Sequence, residues 1–304
     1  MSKLGKQSAR APKSTKASKP HPHHSLIPGE WRHGDIHLLG HSVAGVGTCL
    51  VWPELKLAFD VAQGLPYAFN CQHYLLSHCH MDHASGIPYL ISQRALMGLP
   101  PGRFYMPQSM VEPMHEILNV WQRLDGHNYS YEFLEAQVGE EYSLGGDYFF
   151  RPFKTVHRVD SQGYTVFRRR KKLRMEFQGL HPDQLLEIKG RGQPLEDLFD
   201  EALVSFTGDT QIEFLPIAPT WVKESRVLAV EVTYMDQERG VEKARQWGHI
   251  HLDELLAHRE HLRQEKLLLI HLSARHQPAE LAQALKQRLG GPENQRFEVF
   301  PRRA

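Results

Sequence analysis

Cysteine is scarce: the 304 residues contain only Cys49, Cys71 and Cys79. Three is too few, and odd in number, for a disulfide framework, which points to a reducing, cytoplasmic compartment. Long hydrophobic runs are absent. No stretch of about 18 consecutive apolar residues exists, so no membrane-spanning helix and no membrane partner is expected. The chain does not open on the charged-then-apolar pattern of a secretory signal. Internal repeats are absent, and no linker divides the sequence after about residue 25. Acidic residues are missing from the first 20 positions, which carry Lys3, Lys6, Arg10, Lys13, Lys16 and Lys19. The whole chain is +1 and this opening is +6, so the remainder sits near −5. Rich in Ser, Ala, Lys and Pro and without apolar period, residues 1–24 read as a disordered basic tail, and 25–304 as the folded unit. The tail reads as an arm for nucleic-acid phosphate, an organelle-targeting segment or a solubilising extension. His21, His23 and His24 belong to it, where a metal would bind only adventitiously.

What is present is an ordinary globular composition, 41% hydrophobic and 23% charged, enough for one large α/β domain or two small ones. Strands are expected at 36–39, 47–52, 55–59, 74–76, 103–106, 142–153, 164–167, 203–206, 226–232, 267–270 and 297–300. Helices are expected at 87–97, 110–124, 252–262 and 280–289. In 110–124, Val111, Met114, Ile117, Leu118 and Trp121 share a face that reads as core. The mixture suits an α/β sandwich.

The most informative segment is His78-Cys79-His80-Met81-Asp82-His83, directly after the apolar run Tyr74-Leu75-Leu76. In extended backbone, residues two apart share a side. His78 and His80 can therefore face one ion, with Asp82 and His83 in the following turn serving a second. Imidazole with carboxylate suits zinc, with manganese or iron as alternatives. The same geometry turns Cys79 away, as a packing residue. A merely histidine-rich loop is the alternative in a chain with 20 histidines. Against it, groups packed this densely repel and desolvate without a cation between them. Three further candidates directly follow apolar β-like runs: His157 after Phe153–Val156, Asp209 after Ser205–Gly208 and His271 after Leu267–Ile270. Gly208 permits a tight turn there. Each taken singly also reads as a capping Asp or a satisfied core His.

The H-x-H-x-D-H segment resembles the signature of the metallo-β-lactamase superfamily, whose fold is a four-layer αβ/βα sandwich. Its later ligand positions match His157, Asp209 and His271 in order. The resemblance implies two divalent cations. His78, His80 and His157 would hold one, Asp82, His83 and His271 the other, and Asp209 would bridge. A hydroxide between them would be the nucleophile, oriented by Asp82. Glu231-Val232-Thr233 and Gly248-His249 resemble the Glu-Ala-Thr and Gly-His-Ser/Thr motifs of the ribonuclease Z family, and His271-Leu272-Ser273-Ala274-Arg275 its closing His-x-Ser-x-Arg. By that resemblance Glu231 orients His249, which protonates the leaving oxygen. A carboxylate beside imidazole raises its pKa and fixes its tautomer. Without that role, Glu231 would be a strand-end carboxylate and His249 a helix-start histidine.

The likeness spans roughly residues 35–300, with three departures. Val230 stands where the family has a His before Glu-Ala-Thr. Ile250-His251 replaces the Ser/Thr, which leaves an extra imidazole near the site. Gly40–Gly45 is short and lacks the Pro-x-Lys-x-Arg-Asn loop that handles the acceptor end. The basic run Arg168–Lys172 with Arg174 reads as a phosphate contact or a solvated hairpin tip. The leading expectation is a two-metal phosphodiesterase that removes the 3′ trailer from precursor tRNA and acts as a homodimer. A hydrolase of a small ester, lactone, sulfate or cyclic phosphodiester is the second. A non-catalytic RNA-binding protein on the same fold is the third.

Overall fold

The computed structural model describes residues 27–301. The tail at 1–24, with its three histidines, lies outside the described residues. The first half builds one sheet from β1 (Gly29–His33), β2 (Ile36–Ala44), β3 (Gly47–Trp52), β4 (Leu57–Phe59), β5 (His73–Leu75), β6 (Arg103–Met106) and β7 (Glu132–Glu135), in that spatial order. The second half builds the other from β8 (Tyr142–Gly145), β9 (Tyr148–Lys154), β10 (Gln162–Leu173), β11 (Glu196–Phe206), β12 (Val227–Glu231), β13 (Lys266–Ile270) and β15 (Phe297–Val299). The short β14 (Leu272–Ser273) crosses over to pair with β2 of the first sheet.

Two apolar faces per sheet require cover on both sides. Between the sheets lies a core of Ile36, Leu38, Leu50, Phe59 and Leu75 from the first and Phe150, Tyr164, Val204, Phe206 and Leu268 from the second. Outside the first sheet, Val51, Tyr74 and Leu76 pack on the helices Ile87–Leu96 and Gln108–Asp125. Outside the second, Leu228, Val230 and Leu269 pack on Leu252–Ala257 and Pro278–Arg288. The order is helix, sheet, sheet, helix: the metallo-β-lactamase αβ/βα sandwich. Strands β4 to β7 run parallel, as do β11, β12, β13 and β15. Their carboxyl ends are where an open α/β sheet offers a crevice.

Several expected elements change. The run 142–153 divides into a hairpin, turned where Gly145 and Gly146 take φ of 98° and 57°. The helix expected at 252–262 ends at Ala257 and is followed by a 3₁₀ turn, Arg259–His261. Strands β10 and β11 run well past their apolar stretches into a charged hairpin whose connection carries the helix Pro182–Gly190. Cross-strand ion pairs hold that extension: Arg169 to Asp200 at 2.8 Å, Arg170 to Glu201 at 2.7 Å and Arg174 to Asp197 at 2.9 Å. Much of the basic run is thus matched to carboxylates, leaving Lys171 and Lys172 exposed. The core stripe expected on 110–124 is narrower than its spacing suggested. Met110, Met114 and Leu118 are buried, whereas Ile117 and Trp121 face outward, Trp121 being 52% exposed. Among the described residues no helix is long and apolar enough to cross a membrane.

Candidate metal centre and general-acid pair

All seven expected ligands converge on the crevice at the strand ends, from both sheets. His78, His80, Asp82 and His83 follow β5, His157 follows β9, Asp209 follows β11 and His271 follows β13. The turn after β11 needs glycine twice over. Gly208 has φ +60°, and a Cβ there would lie 2.4 Å from the Ser77 Cβ, so only glycine lets the Asp209 loop press on the His78 strand. His271 itself adopts φ +57°, strained for a non-glycine residue and held by Ser42 Oγ, which accepts its backbone N–H at 2.9 Å.

The donor atoms form two groups. In the first, His78 Nε2 and His80 Nδ1 are 3.0 Å apart, His157 Nε2 and His80 Nδ1 3.2 Å, and His78 Nε2 and Asp209 Oδ2 3.7 Å. In the second, His83 Nε2, His271 Nε2 and Asp209 Oδ1 form a triangle with 3.3 Å sides. Asp82 Oδ2 caps it at 3.5 Å from His271 and 3.7 Å from His83. Four ligands around an ion at the usual 2.0–2.1 Å would stand about 3.3–3.4 Å from one another. Asp209 contributes one oxygen to each group, and its buried Oδ1 accepts no aligned hydrogen bond among the described residues. A buried carboxylate oxygen facing two imidazoles calls for a cation. The His/Asp donor set fits a divalent metal site.

The opposite nitrogens of these rings are held. Asp60 Oδ2 pairs with His83 Nδ1 at 2.7 Å, and Ser77 donates to both Asp60 oxygens through its N–H and hydroxyl. Ser77 Oγ also lies 3.0 Å from His78 Nδ1. His157 Nδ1–H donates to the Gly248 carbonyl at 2.8 Å, and His271 Nδ1–H to Thr233 Oγ1 at 3.0 Å. Such partners fix tautomer and ring orientation, aiming the second nitrogen inward. Asp82 is steadied by the Gly45 N–H at 2.8 Å. Asp60 and Ser77 were not singled out from the sequence, and Thr233 entered only within the Glu231-Val232-Thr233 motif, with no role of its own. For Asp60 and Ser77 the available signal was position alone: each lies just beyond an apolar strand, as the candidate ligands do.

Electrostatics agree. Burial, with the neighbouring imidazoles, holds His78 well below the ordinary histidine range and lowers His80 and His157 as well. Neutral imidazole is the ligating form. His83 goes the other way: burial opposes its charge, but Asp209 and Asp60 outweigh burial and raise its pKa well above the usual value. Without an ion, that ring carries a proton that a cation would displace. Burial would raise Asp209 and Asp82, yet the surrounding imidazoles hold both carboxyls below their usual range.

Beside this cluster, Glu231 is fully buried at the end of β12. Its Oε1 accepts from the Thr210 N–H at 2.8 Å and from His249 Nδ1–H at 2.9 Å, and its Oε2 from the Thr233 hydroxyl at 2.6 Å. Thr233, having donated to Glu231, is left to accept from His271. One carboxylate thus orients both His249 and His271. The His249 ring stands 5.4 Å from the rings of His157 and His271. Burial lowers its pKa, but the Glu231 charge and hydrogen bond, with Asp209 beyond, prevail and lift it to about 9.

No family model matches the chain. Among curated proteins, tRNase Z TRZ1 of Arabidopsis thaliana is 33% identical over 247 residues, covering 81% of this chain and 88% of that one. The chain belongs to the ribonuclease Z family. The chloroplastic tRNase Z TRZ2 of the same plant is 32% identical over 81% of this chain and 70% of its own length. Short-form human tRNase Z superposes with a TM-score of 0.53 at 15% identity, over 90% of this chain and 94% of that one. The metallo-β-lactamase fold protein YhfI of Bacillus subtilis gives 0.57 at 15% identity, over 85% and 93%. Ribonuclease Z membership makes the chain an enzyme, a metal-dependent hydrolase.

Two departures from the ribonuclease Z motifs now have physical reasons. Val230 is fully buried on the outer face of β12 among Leu228, Leu269 and the flanking helices. His251 is no extra imidazole at the site. It is fully buried and caps the helix Leu252–Ala257, its Nδ1 accepting the Asp253 N–H at 3.1 Å. Cys79 belongs to none of the candidate donor groups, and it is exposed, not packed, because the chain leaves the sheet after β5 and the outer side of this loop is uncovered.

Proposed function

We propose that the chain is a two-metal phosphodiesterase of ribonuclease Z type that cuts the 3′ trailer from precursor tRNA. The observation carrying this reading is the pairing of two ion-sized donor groups, sharing Asp209, with the Glu231–His249 pair at their edge. His78, His80 and His157 would hold one divalent cation, zinc by donor type, and Asp82, His83 and His271 the other, with Asp209 offering one oxygen to each group. Two cations held there would supply charge to neutralise the phosphate and to acidify a water for attack on phosphorus. Asp82, fixed by the Gly45 N–H, orients that water. His249 holds its proton until the phosphorus–oxygen bond breaks and delivers it to the departing 3′ oxygen. Glu231 keeps the ring charged and pointed. The curated relatives named tRNase Z support precursor tRNA as the substrate.

The remaining expectations also belong to this reading. Residues 25–304 form the catalytic unit and 1–24 a basic tail. The working compartment is the cytoplasm, in keeping with three free thiols, with organelle targeting by the tail as the alternative raised by the chloroplastic relative. Tyr89, Trp121 and Leu124 are each more than half exposed on two adjacent helices, an apolar face that suits a second copy of the chain.

The test is incubation with end-labelled precursor tRNA, with and without chelator, followed by mapping of the cut. Metal-dependent cleavage leaving a 3′-hydroxyl on the tRNA is expected. Turnover of small esters with none of precursor tRNA would refute the substrate. Normal phosphodiester cleavage by His249→Ala would refute the general acid.

A further inference from the structure

Trp247 is the last residue of the helix Val241–Trp247 and precedes the pair Gly248-His249. A large aromatic at a chain reversal would ordinarily be tucked in, yet this one is 45% exposed. Its ring is flanked by two cations: the Arg158 guanidinium carbon lies 5.1 Å and the Lys243 Nζ 5.4 Å from its centroid. Arg158 forms no ion pair among the described residues and is exposed, so its charge is free for an anion. The cluster is fastened to the catalytic crevice. Gly248 takes φ +83°, and a Cβ there would lie 2.8 Å from His157 Nδ1 and 3.0 Å from Arg158 Cγ. With the 2.8 Å bond from His157 to the Gly248 carbonyl, this close approach seams Trp247–His249 to His157–Arg158.

A half-exposed indole with a guanidinium and an ammonium over its ring has the chemistry that holds single-stranded nucleic acid: a π-face that a base takes as the two long side chains turn to the phosphates on either side. We propose that Trp247, Arg158 and Lys243 form a stacking platform for the last retained nucleotide, the one that ends in the new 3′-hydroxyl. The choice of nucleotide follows from His249, which gives its proton to that nucleotide's 3′ oxygen and lies two residues from the indole. The proposal deepens the phosphodiesterase reading and rests on it. It makes Trp247 a substrate-binding residue that works on any base, since every base offers a π-face.

The experiment is a cycle of four kcat/KM values: wild type and Trp247→Ala, each with a precursor RNA carrying a base or an abasic sugar at the last retained position. Loss of one stacked base is expected to lower cleavage roughly 5- to 150-fold. Removing the ring or the base should cost the same factor, and removing both should cost no more. Trp247→Phe should recover most of the loss. Replacing Arg158 and Lys243 together by Ala should reduce the slope of log affinity against log salt by about 1 to 2. Wild-type behaviour of Trp247→Ala, or losses that multiply, overturns the platform. Should the wild type leave RNA uncut, the phosphodiesterase reading falls separately. Affinity for a labelled single strand then decides: about tenfold weaker binding by Trp247→Ala but not by Trp247→Phe upholds the platform, and equal binding by all three removes it.

Discussion

Replacing Glu231 by Gln keeps the shape and most of the hydrogen bonds of the buried side chain while deleting the charge that sustains His249 as an acid. In the wild type, Glu231 and Asp209 hold the His249 pKa at about 9 against the opposing effect of burial. With Glu231 neutral, burial is opposed only by the more distant Asp209, whose carboxylate lies 3.9 Å from Nδ1. The pKa then falls back toward 6.5, the ordinary histidine value. At pH 8 a group of pKa about 9 is roughly nine-tenths protonated and one of pKa 6.5 about 3%, a roughly 30-fold loss of the competent acid. The sign follows from the role. An acid must carry its proton, so activity falls as pH rises through the pKa of the enzyme's own His249. The assay is kcat/KM for precursor tRNA between pH 5.5 and 9.5, with metal content measured on the same samples. Bound cations lower both midpoints together, so the separation between them is what counts. The variant should approach wild type at the acid end and lose ground about tenfold per pH unit until the wild type's own midpoint. A uniform loss at every pH, at unchanged metal content, would refute the reasoning and leave Glu231 a purely structural residue.

Asp60→Asn should weaken the second cation by roughly 10- to 100-fold, because Asp60 holds His83 through a 2.7 Å contact; competition against a chelator of known affinity reads this directly. Gly208→Ala should lower the melting temperature and abolish metal binding, since its methyl meets Ser77 at 2.4 Å and its φ is +60°; calorimetry showing a wild-type transition would contradict the packing described. Chelation should abolish cleavage, and zinc or manganese should restore it. Because metal must displace the proton that Asp209 and Asp60 hold on His83, ion uptake should release protons, and apparent affinity should rise with pH; calorimetric titration in buffers of different ionisation enthalpy measures the number released.

The convergence of the seven candidate positions was legible because the site obeys a local grammar. Apolar strands must end at the crevice, and a residue within three positions of each end, here His157, Asp209 and His271, faces it. The layer behind them was not legible. Asp60 reaches His83 across 23 positions and Thr233 reaches His271 across 38, and apart from the Glu231-Val232-Thr233 motif no spacing in the sequence sets Asp60, Ser77 and Thr233 apart from ordinary strand-end polar residues. The charged extension of β10 and β11 was hidden for a related reason: it is a backbone ladder flanked by Arg169–Asp200 and similar cross-strand pairs, without the alternating apolar pattern that marks a strand. Trp121 misled in the opposite sense. Helical spacing shows that residues share a face, but not that a neighbouring element covers it. His251 shows how a residue type can mislead about role. An imidazole nitrogen can accept a backbone N–H at a helix start as a Ser or Thr oxygen does, and burial then takes it out of the chemistry.

Each candidate ion takes donors from both sheets: Asp82 and His83 on one side with Asp209 and His271 on the other, and His78 and His80 facing His157. Neither half of the chain owns a complete cage. Cut in the loop between β7 and β8, the two fragments would each offer a fraction of the donors, too few to hold zinc tightly. Metal would then serve as the rivet of reassembly, and its uptake would report how far the two halves had come together.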